Sequence, residues 1–515
     1  MDKKYADTIA AIDIGSSYIR LIIAEMKMDG SLNLLEDLNV PTEIGRDTFG
    51  SGRINVESIH DTCEALTGFV RVMREYGVNR CRTLATTGIR EAENQEYVLE
   101  QIRLRTGLSV RVINNAEERF LTYKALRESI PEAVSMRQEG IVVLNIGMGG
   151  VEVSVFWQGN LRYTEYIKIG SLRLREILGE LERQTLDFSS VLEEYVESKV
   201  YLLDPQIREL KIKNFIGLGG QLDTIYRLTG GGKKEVQPRV IKKAALSRLH
   251  GKLRNMSTDQ IMQDLGVNRN EAESLLPSVI IFLRFIEMTE AACIHVPTTA
   301  LRHGMLADMA DEQVDTARKL DFMNDIISSV WFIGKKYNTD VSHSAHVEKL
   351  ALSIFDQTKK IHRLGQREKL YLRIASILHD IGKYVNFDQH DIHSYNIICS
   401  QNILGFSDRE LRLIANITRY HSDENPHPQH VNYRELEHDE KILVSKMAAI
   451  LKLADSLDIT HNQKVESITI SSGEQEVYFR IRSSEDLLLE EWSFADKALF
   501  FEEVMGYRPV IKRKK

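Results

Sequence analysis

Proline is scarce, 9 residues in 515, which excludes long proline-rich linkers and leaves a chain of packed elements. Cysteine is scarcer still, with four residues (Cys63, Cys81, Cys293, Cys399) and no CxxC spacing. That rules out a disulfide framework, and the four read as small buried hydrophobes of a reducing compartment. The most apolar stretch near the middle, Pro277–Ile286, is interrupted by Arg284 and is too short to cross a bilayer. An excess of positive charge is also lacking, with 67 Lys+Arg against 74 Asp+Glu and a formal net charge of −7. A polyanion is repelled at long range, so any phosphate chemistry has to be built locally. The polar start, Met1–Ala6, runs straight into a strand-like segment, so no secretory leader and a cytoplasmic protein are expected.

What is present is a globular composition, 43% hydrophobic and 27% charged, at a length that predicts about three domains. Thr8–Met26 reads as strand, tight turn (Asp13-Ile14-Gly15-Ser16-Ser17), strand. The pattern recurs at Ile141–Phe156 around Asn145-Ile146-Gly147-Met148-Gly149-Gly150, and each copy continues to a second Ile-Gly, at Ile44-Gly45 and Ile169-Gly170. An internal duplication explains this economically. Between the copies, Val56–Tyr76 carries apolar residues at helical spacing, and Glu117–Glu128 is a second helix candidate. Gly217–Gly220 breaks a mainly helical region. The chain beyond about residue 311 reads as helical to about Asp458, followed by a hairpin over Ser467–Ser483 and a helix ending near Gly506.

Glycine after a strand-end Asp lets successive backbone N–H groups converge on an anion, and small side chains let a phosphate approach. The carboxylate can hold a hydrated Mg²⁺ beside it. One such turn is usually a hairpin device; two, with Gly217–Gly220 as a third, favour a phosphate-binding cleft. Asp13–Leu21, Leu84–Asn94 (LATTGIREAEN), Val112–Glu118 (VINNAEE) and Asn145–Glu152 resemble, in order, the exopolyphosphatase/guanosine-pentaphosphatase (Ppx/GppA) family. Lys168–Leu174, Gly217–Gly220 and Leu301–Leu306 also fall where that family has short motifs.

The resemblance covers roughly the first 310 residues. It implies an α/β bilobal actin-like ATPase/sugar-kinase (ribonuclease H-like) fold, with lobe I at 1–130, lobe II at 131–310 and the site between them. It implies a Mg²⁺-dependent phosphohydrolase that releases terminal phosphate from inorganic polyphosphate or a guanosine penta- or tetraphosphate. Glu118 then matches the catalytic glutamate and Arg90 the phosphate-contacting arginine; Asp13, Glu152 and Asn145 line the metal. Gly15, Ser16, Ser17, Gly147, Gly149, Gly150, Gly219 and Gly220 cradle phosphate. The family's second turn usually reads Asp-Ile-Gly-Gly-Gly-Ser-Thr-Glu, whereas Asn145, Met148, Gly150 and Val151 stand here at its first, fourth, sixth and seventh places. Ser17 stands where asparagine is usual, and Gln221 replaces a usual threonine. The glycine scaffold survives better than the polar lining, so phosphate binding is more secure than hydrolysis.

Histidine is the one residue type with a skewed distribution. Eleven of the 15 lie between His343 and His461. His343 opens an amphipathic helix, His379-Asp380 ends an apolar run, and His393, His421 and Asp455 follow. This order resembles the ligand set of an HD-domain metal-dependent phosphohydrolase, and implies an all-α HD domain at 311–462, one or two divalent ions, and a small α/β tail at 463–515. Adjacent His379 and Asp380 can face one metal cluster while ligands from other helices close the shell. Lys383 is placed to meet a phosphate. His346 competes with His343, the latter favoured by spacing, and His390 competes with His393; His427, His430 and His438 read as solvated.

Arg227–Arg254 holds nine Lys/Arg and one acidic residue, Glu235, a solvated face or a polyphosphate track. No nucleic-acid motif and no membrane segment accompany it, and a homodimer is expected from the family alone. Two further readings stand beside the exopolyphosphatase one: an HD-domain hydrolase of nucleotides or phosphoesters with a regulatory front half, and a non-catalytic polyphosphate or alarmone sensor.

Overall fold

The structure, a computed structural model, describes residues 7–129, 140–157, 160–182, 184–185, 187–219, 221–231, 239–297, 299–314, 317–401 and 403–513. The chain divides into two compact units, Met1–Asp325 and Ile326–Lys515.

The first unit contains two sheets. One is formed by β1 (Asp7–Ile14), β2 (Tyr18–Met26), β3 (Leu32–Pro41), β4 (Arg80–Ala85) and β5 (Val110–Val112), in the order β3-β2-β1-β4-β5. The other is formed by β6 (Ile141–Ile146), β7 (Val151–Trp157), β8 (Asn160–Ile167), β9 (Asn214–Gly219), β10 (Val240–Lys242) and β11 (Cys293–His295). Its order, β8-β7-β6-β9-β11-β10, repeats the first sheet with one added edge strand. Both have two antiparallel hairpin pairings followed by two parallel ones, and the added edge strand β10 pairs antiparallel with β11. The duplication read from two glycine turns thus extends through both sheets.

β1 is an apolar run buried on both faces, as a central strand requires. Its alternate side chains serve different cores. Ala10, Ile12 and Ile14 join Leu66 and Phe69 of the helix Val56–Glu75, whereas Ile9 and Ala11 join Leu121 and Met305 on the opposite face. That helix starts where Asn55 accepts from the Ser58 N–H and matches the sequence expectation within a residue. The helix Leu301–Asp311 returns to the first sheet and crosses the helix Asn115–Ser129 so closely that a Cβ on Gly304 would overlap the Leu121 carbonyl. Lys124, held by Asp308 at 2.6 Å and Asp311 at 2.9 Å, locks the crossing. Of the four cysteines only Cys63 is buried, and Cys81 and Cys399 are exposed, contrary to the uniform burial expected.

In the second unit the helix His438–Ser456 serves as the axis, its C-terminal half from Met447 buried nearly all round. The helices Val341–Gln357, Gln366–Leu378 and Asp408–Arg419 pack on it, and His390–Ser400 packs on the last of these. The expected hairpin forms as β12 (Ser467–Ser472) and β13 (Glu476–Arg482). A third strand, β14 (Arg508–Arg513), pairs with β13 in parallel, and the helix Leu488–Met505 supplies the crossover that parallel pairing needs. Among the described residues no helix is long and apolar enough to cross a membrane.

Candidate functional site

The glycine turns converge in the first unit. After β1, Gly15 N–H donates to the Tyr18 carbonyl at 3.0 Å and Gly45 N–H to the Ser16 carbonyl at 2.7 Å. A Cβ on Gly45 would lie 2.5 Å from that of Ser16. In the second half Gly147 N–H donates to the Gly150 carbonyl at 2.8 Å, and Gly170 is pressed onto Met148 and Gly149 as Gly45 is onto Ser16. The paired Ile-Gly motifs therefore do the same job, backing a turn too tight for a side chain. Gly88 packs on Ser16 and Gly149 on Thr87 and Phe49, which brings the two turns together across Thr87-Gly88. Gly219, at φ +65°, backs the second turn against Ile146 and Asn145; Gly220 lies outside the described residues.

Carboxylates line the same place. Asp13, at the end of β1, is buried and takes a 3.4 Å bond from Arg20 through Oδ2; its Oδ1 has no partner. Register sets Asn145, Glu152 and Tyr166 side by side across β6, β7 and β8. Asn145 Nδ2 donates to Glu152 Oε2 at 3.3 Å, and the buried Glu152 Oε1 has no partner. Glu118, on the first turn of its helix, receives Arg90 Nη1 at 3.4 Å. Burial, and the neighbouring Glu152 and Asp13, push its carboxyl up to about 8, against the pull of Arg90. Two buried carboxylate oxygens without partners, beside an amide, fit a hard divalent cation such as Mg²⁺.

The role expected of Arg90 is only half met. Its Nη1 donates to the Ile113 carbonyl at 2.5 Å as well as to Glu118, and its Nη2 to Thr87 at 2.7 Å and to Asn115. Those donors serve protein acceptors and aim Glu118. Tyr166 is a residue the sequence reading missed. Its ring occupies the space where a Cβ on Gly150 would stand, so the missing serine of the second turn has a steric cause, and burial pushes its hydroxyl up to about 12. Only strand register reveals this.

A second cluster forms in the other unit. His343 is fully buried on the first turn of its helix, where Asp340 accepts from the Ser342 and His343 N–H groups. His343 Nε2 lies 3.1 Å from His379 Nε2, and Asp455 Oδ1 lies 3.2 and 3.4 Å from the two nitrogens. Asp380 joins both this group and His390 and His421, whose Nε2 atoms are 3.2 Å apart and 3.4 and 3.5 Å from Asp380 Oδ1. The orientation of the rings is decisive. Nδ1 of His343 pairs with Asp458 (2.8 Å), and those of His379, His390 and His421 with the carbonyls of Ser376 (2.8 Å), Phe387 (3.1 Å) and Thr418 (2.7 Å). A carbonyl only accepts, so the last three rings are protonated at Nδ1 and turn Nε2 lone pairs inward. Converging lone pairs and carboxylates, each imidazole braced from behind, are what a divalent metal site requires. Asp455 is held well below the usual carboxylate range, in spite of burial, by the hydrogen bond it accepts from protonated His343 when no metal is bound.

Most of the sequence set is assembled here: His343, His379, Asp380, His421 and Asp455. His393 is corrected to His390. Both lie on the helix His390–Ser400, but His390 is at its first position and reaches Asp380, while His393, three residues on, joins neither group. His346 also stays out. Lys383 bonds Asp380 Oδ2 at 2.5 Å, so it braces the shared carboxylate instead of standing free for phosphate. Asp458 and His461, which stacks on His343 at 3.6 Å, were not anticipated; the spacing Asp455–Asp458 puts both on one side of a chain turn and was the available signal.

Comparison with known proteins gives the family of the chain. The Ppx/GppA phosphatase family model matches residues 22–313, and its domain III model matches residues 327–501. A guanosine-5'-triphosphate,3'-diphosphate pyrophosphatase of Vibrio atlanticus is 21% identical over 417 residues, covering 81% of this chain and 80% of that protein. Exopolyphosphatase 1 of Mycobacterium tuberculosis is 21% identical over 314 residues, covering 60% of this chain and 89% of that protein. The crystal structure of an exopolyphosphatase from Cytophaga hutchinsonii shares the fold of the front part, with TM-score 0.53, 18% identity, and coverage of 59% of this chain and 98% of that one. The chain belongs to the Ppx/GppA phosphatase family.

Proposed function

We propose that the chain is an exopolyphosphatase-type hydrolase that releases terminal phosphate from inorganic polyphosphate between the two sheets of its first unit, with guanosine pentaphosphate as the alternative substrate. The observation that carries this reading is the convergence of Glu118, Asp13 and Glu152 on the paired glycine turns, with two carboxylate oxygens left without partners. Phosphoryl transfer needs a positioned water, a base in reach and cations on the equatorial oxygens. Glu118 is the base, and Arg90 holds its carboxylate in one orientation. A Mg²⁺ held by Asp13, Glu152 and Asn145 would supply charge to the phosphate oxygens. That same charge lowers the Glu118 carboxyl, because the neighbouring anions that raise it are then neutralised.

A second reading is favoured by the lone-pair geometry of the other cluster: an HD-type centre of one or two divalent ions, held by His343, His379, Asp380 and Asp455 and by Asp380, His390 and His421. Such ions would supply an acidic water and a polarised phosphoryl oxygen for hydrolysis of a nucleotide or phosphoester. Phosphate release from polyphosphate by wild type, Glu118→Ala and Asp380→Ala separates the two. Loss of about 10²–10⁴-fold in Glu118→Ala, the usual worth of a general base, supports the first; full activity there with loss in Asp380→Ala refutes it and supports the second.

A further inference from the structure

Arg119 directly follows Glu118 on the helix Asn115–Ser129, so its side chain leaves the axis about 100° away. It crosses to the second sheet, where Nη1 donates to Thr164 Oγ1 on β8. Thr164 in turn pairs with Ser154 on β7 at 3.2 Å. Since Ser154 opposes Thr164 and Glu152 opposes Tyr166, the guanidinium stands one row behind Glu152 on the same face. Arg119 is only 4% exposed, and its Nε and Nη2 reach no acceptor. Leaving charged donors buried without hydrogen bonds is costly, and the nearby carboxylates of Glu152, Glu165 and Glu118 offset that cost only in part.

An arginine serving only as counter-ion would bond a carboxylate. Here the Glu152 Oε1 that Arg119 faces across one row is itself unpartnered, as is the Oδ1 of Asp13, which neighbours Glu118. Idle donors and idle acceptors in one cleft fit a ligand that is itself an anion carried with a cation. Nε and Nη2 make up one edge of the guanidinium plane, the edge that grips two oxygens of a phosphate side-on. Arg90, by contrast, has committed its Nη1 and Nη2 to Ile113, Glu118, Thr87 and Asn115. The charge balance points the same way, because Asn145 removes an anion from the cleft and Arg119 adds a cation. Asp13 and Glu152 are each 5% exposed, so an opening that admits phosphate to them admits it to Arg119.

We propose that Arg119, not Arg90, is the guanidinium that binds the terminal phosphoryl group of the substrate in this chain, and that Arg90 is a positioning residue for Glu118. This rests on the exopolyphosphatase reading. The test is calorimetric titration of the full-length protein with tripolyphosphate, in Mg²⁺ and in chelator. Arg119→Met is expected to weaken binding about 10- to 100-fold, the worth of a bidentate charge-assisted pair. Arg119→Lys, which keeps the charge but not the edge, should lose about tenfold. Arg90→Lys should bind within about threefold of wild type and lose turnover instead, a split between KM and kcat. Binding by Arg119→Met within about twofold of wild type, at an unaltered unfolding temperature, overturns the assignment. Should that variant not fold, Arg119→Lys decides by the same criterion. Failure of wild type to bind tripolyphosphate overturns the exopolyphosphatase reading itself, and the assignment with it.

Discussion

The histidine cluster of the second unit gives a prediction whose sign depends on metal. With no ion present, the bonds of His343 to Asp455 and Asp458 outweigh burial and raise its pKa to about 9, from the ordinary 6.5. A raised pKa stabilises the fold fully below pH 6.5, and the stabilisation is lost as pH climbs through about 9. The gap, at about 1.4 kcal/mol per pH unit, comes to about 3 kcal/mol. For a unit of this size that is a fall in unfolding temperature of roughly 6–12 °C. Chelated protein should therefore become less stable between pH 6.5 and 9. Protein loaded with Mn²⁺ should show the opposite trend, because a metal ligates only the deprotonated ring and its affinity rises with pH. Tryptophan fluorescence follows the transition, since Trp331 and Trp492 lie in the second unit and Trp157 alone in the first. A chelated protein whose transition does not move over this window, or moves upward, refutes the reasoning. So would a His343→Gln variant with the wild-type pH trend.

Two further outcomes follow from geometry. His390→Ala should lower bound Mn²⁺ from two equivalents to one, whereas His393→Ala should leave it unchanged; metal analysis after dialysis distinguishes the structural set from the sequence-derived one. Gly304→Ala should destabilise the first unit by about 3 kcal/mol in urea unfolding, because the new methyl meets the Leu121 backbone and neither helix can yield without disturbing Lys124 and its two aspartates.

Motifs that are local in the chain were legible from residues alone. The two Asp/Asn-Ile-Gly turns and the two Ile-Gly dipeptides announced a duplication, and the repeated strand order carries it through both sheets. Helical periodicity placed Val56–Glu75, and alternation placed the hairpin of β12 and β13. His379-Asp380 was legible because adjacency in sequence forces adjacency in space. The choice between His390 and His393 was not, since both sit on one helix and only the angle at which that helix meets Asp380 decides. The direction of each imidazole was equally hidden, being set by carbonyls from the preceding turn and by Asp458. The basic stretch at Arg227–Arg254 falls partly outside the described residues, and the polyphosphate track remains an expectation.

The arginines divide the two kinds of information most sharply. The sequence put Arg90, 28 residues from Glu118, at the site only through the family resemblance, and it carried Arg119 beside Glu118 as a chain neighbour without showing a role for it. Which guanidinium has donors to spare is a question about every acceptor within about 3 Å, and those come from β8, from the helix Asn115–Ser129 and from the loop after β5. Sequence order does not encode that inventory. Packing does, because a buried donor is satisfied or idle only according to what the tertiary fold brings against it.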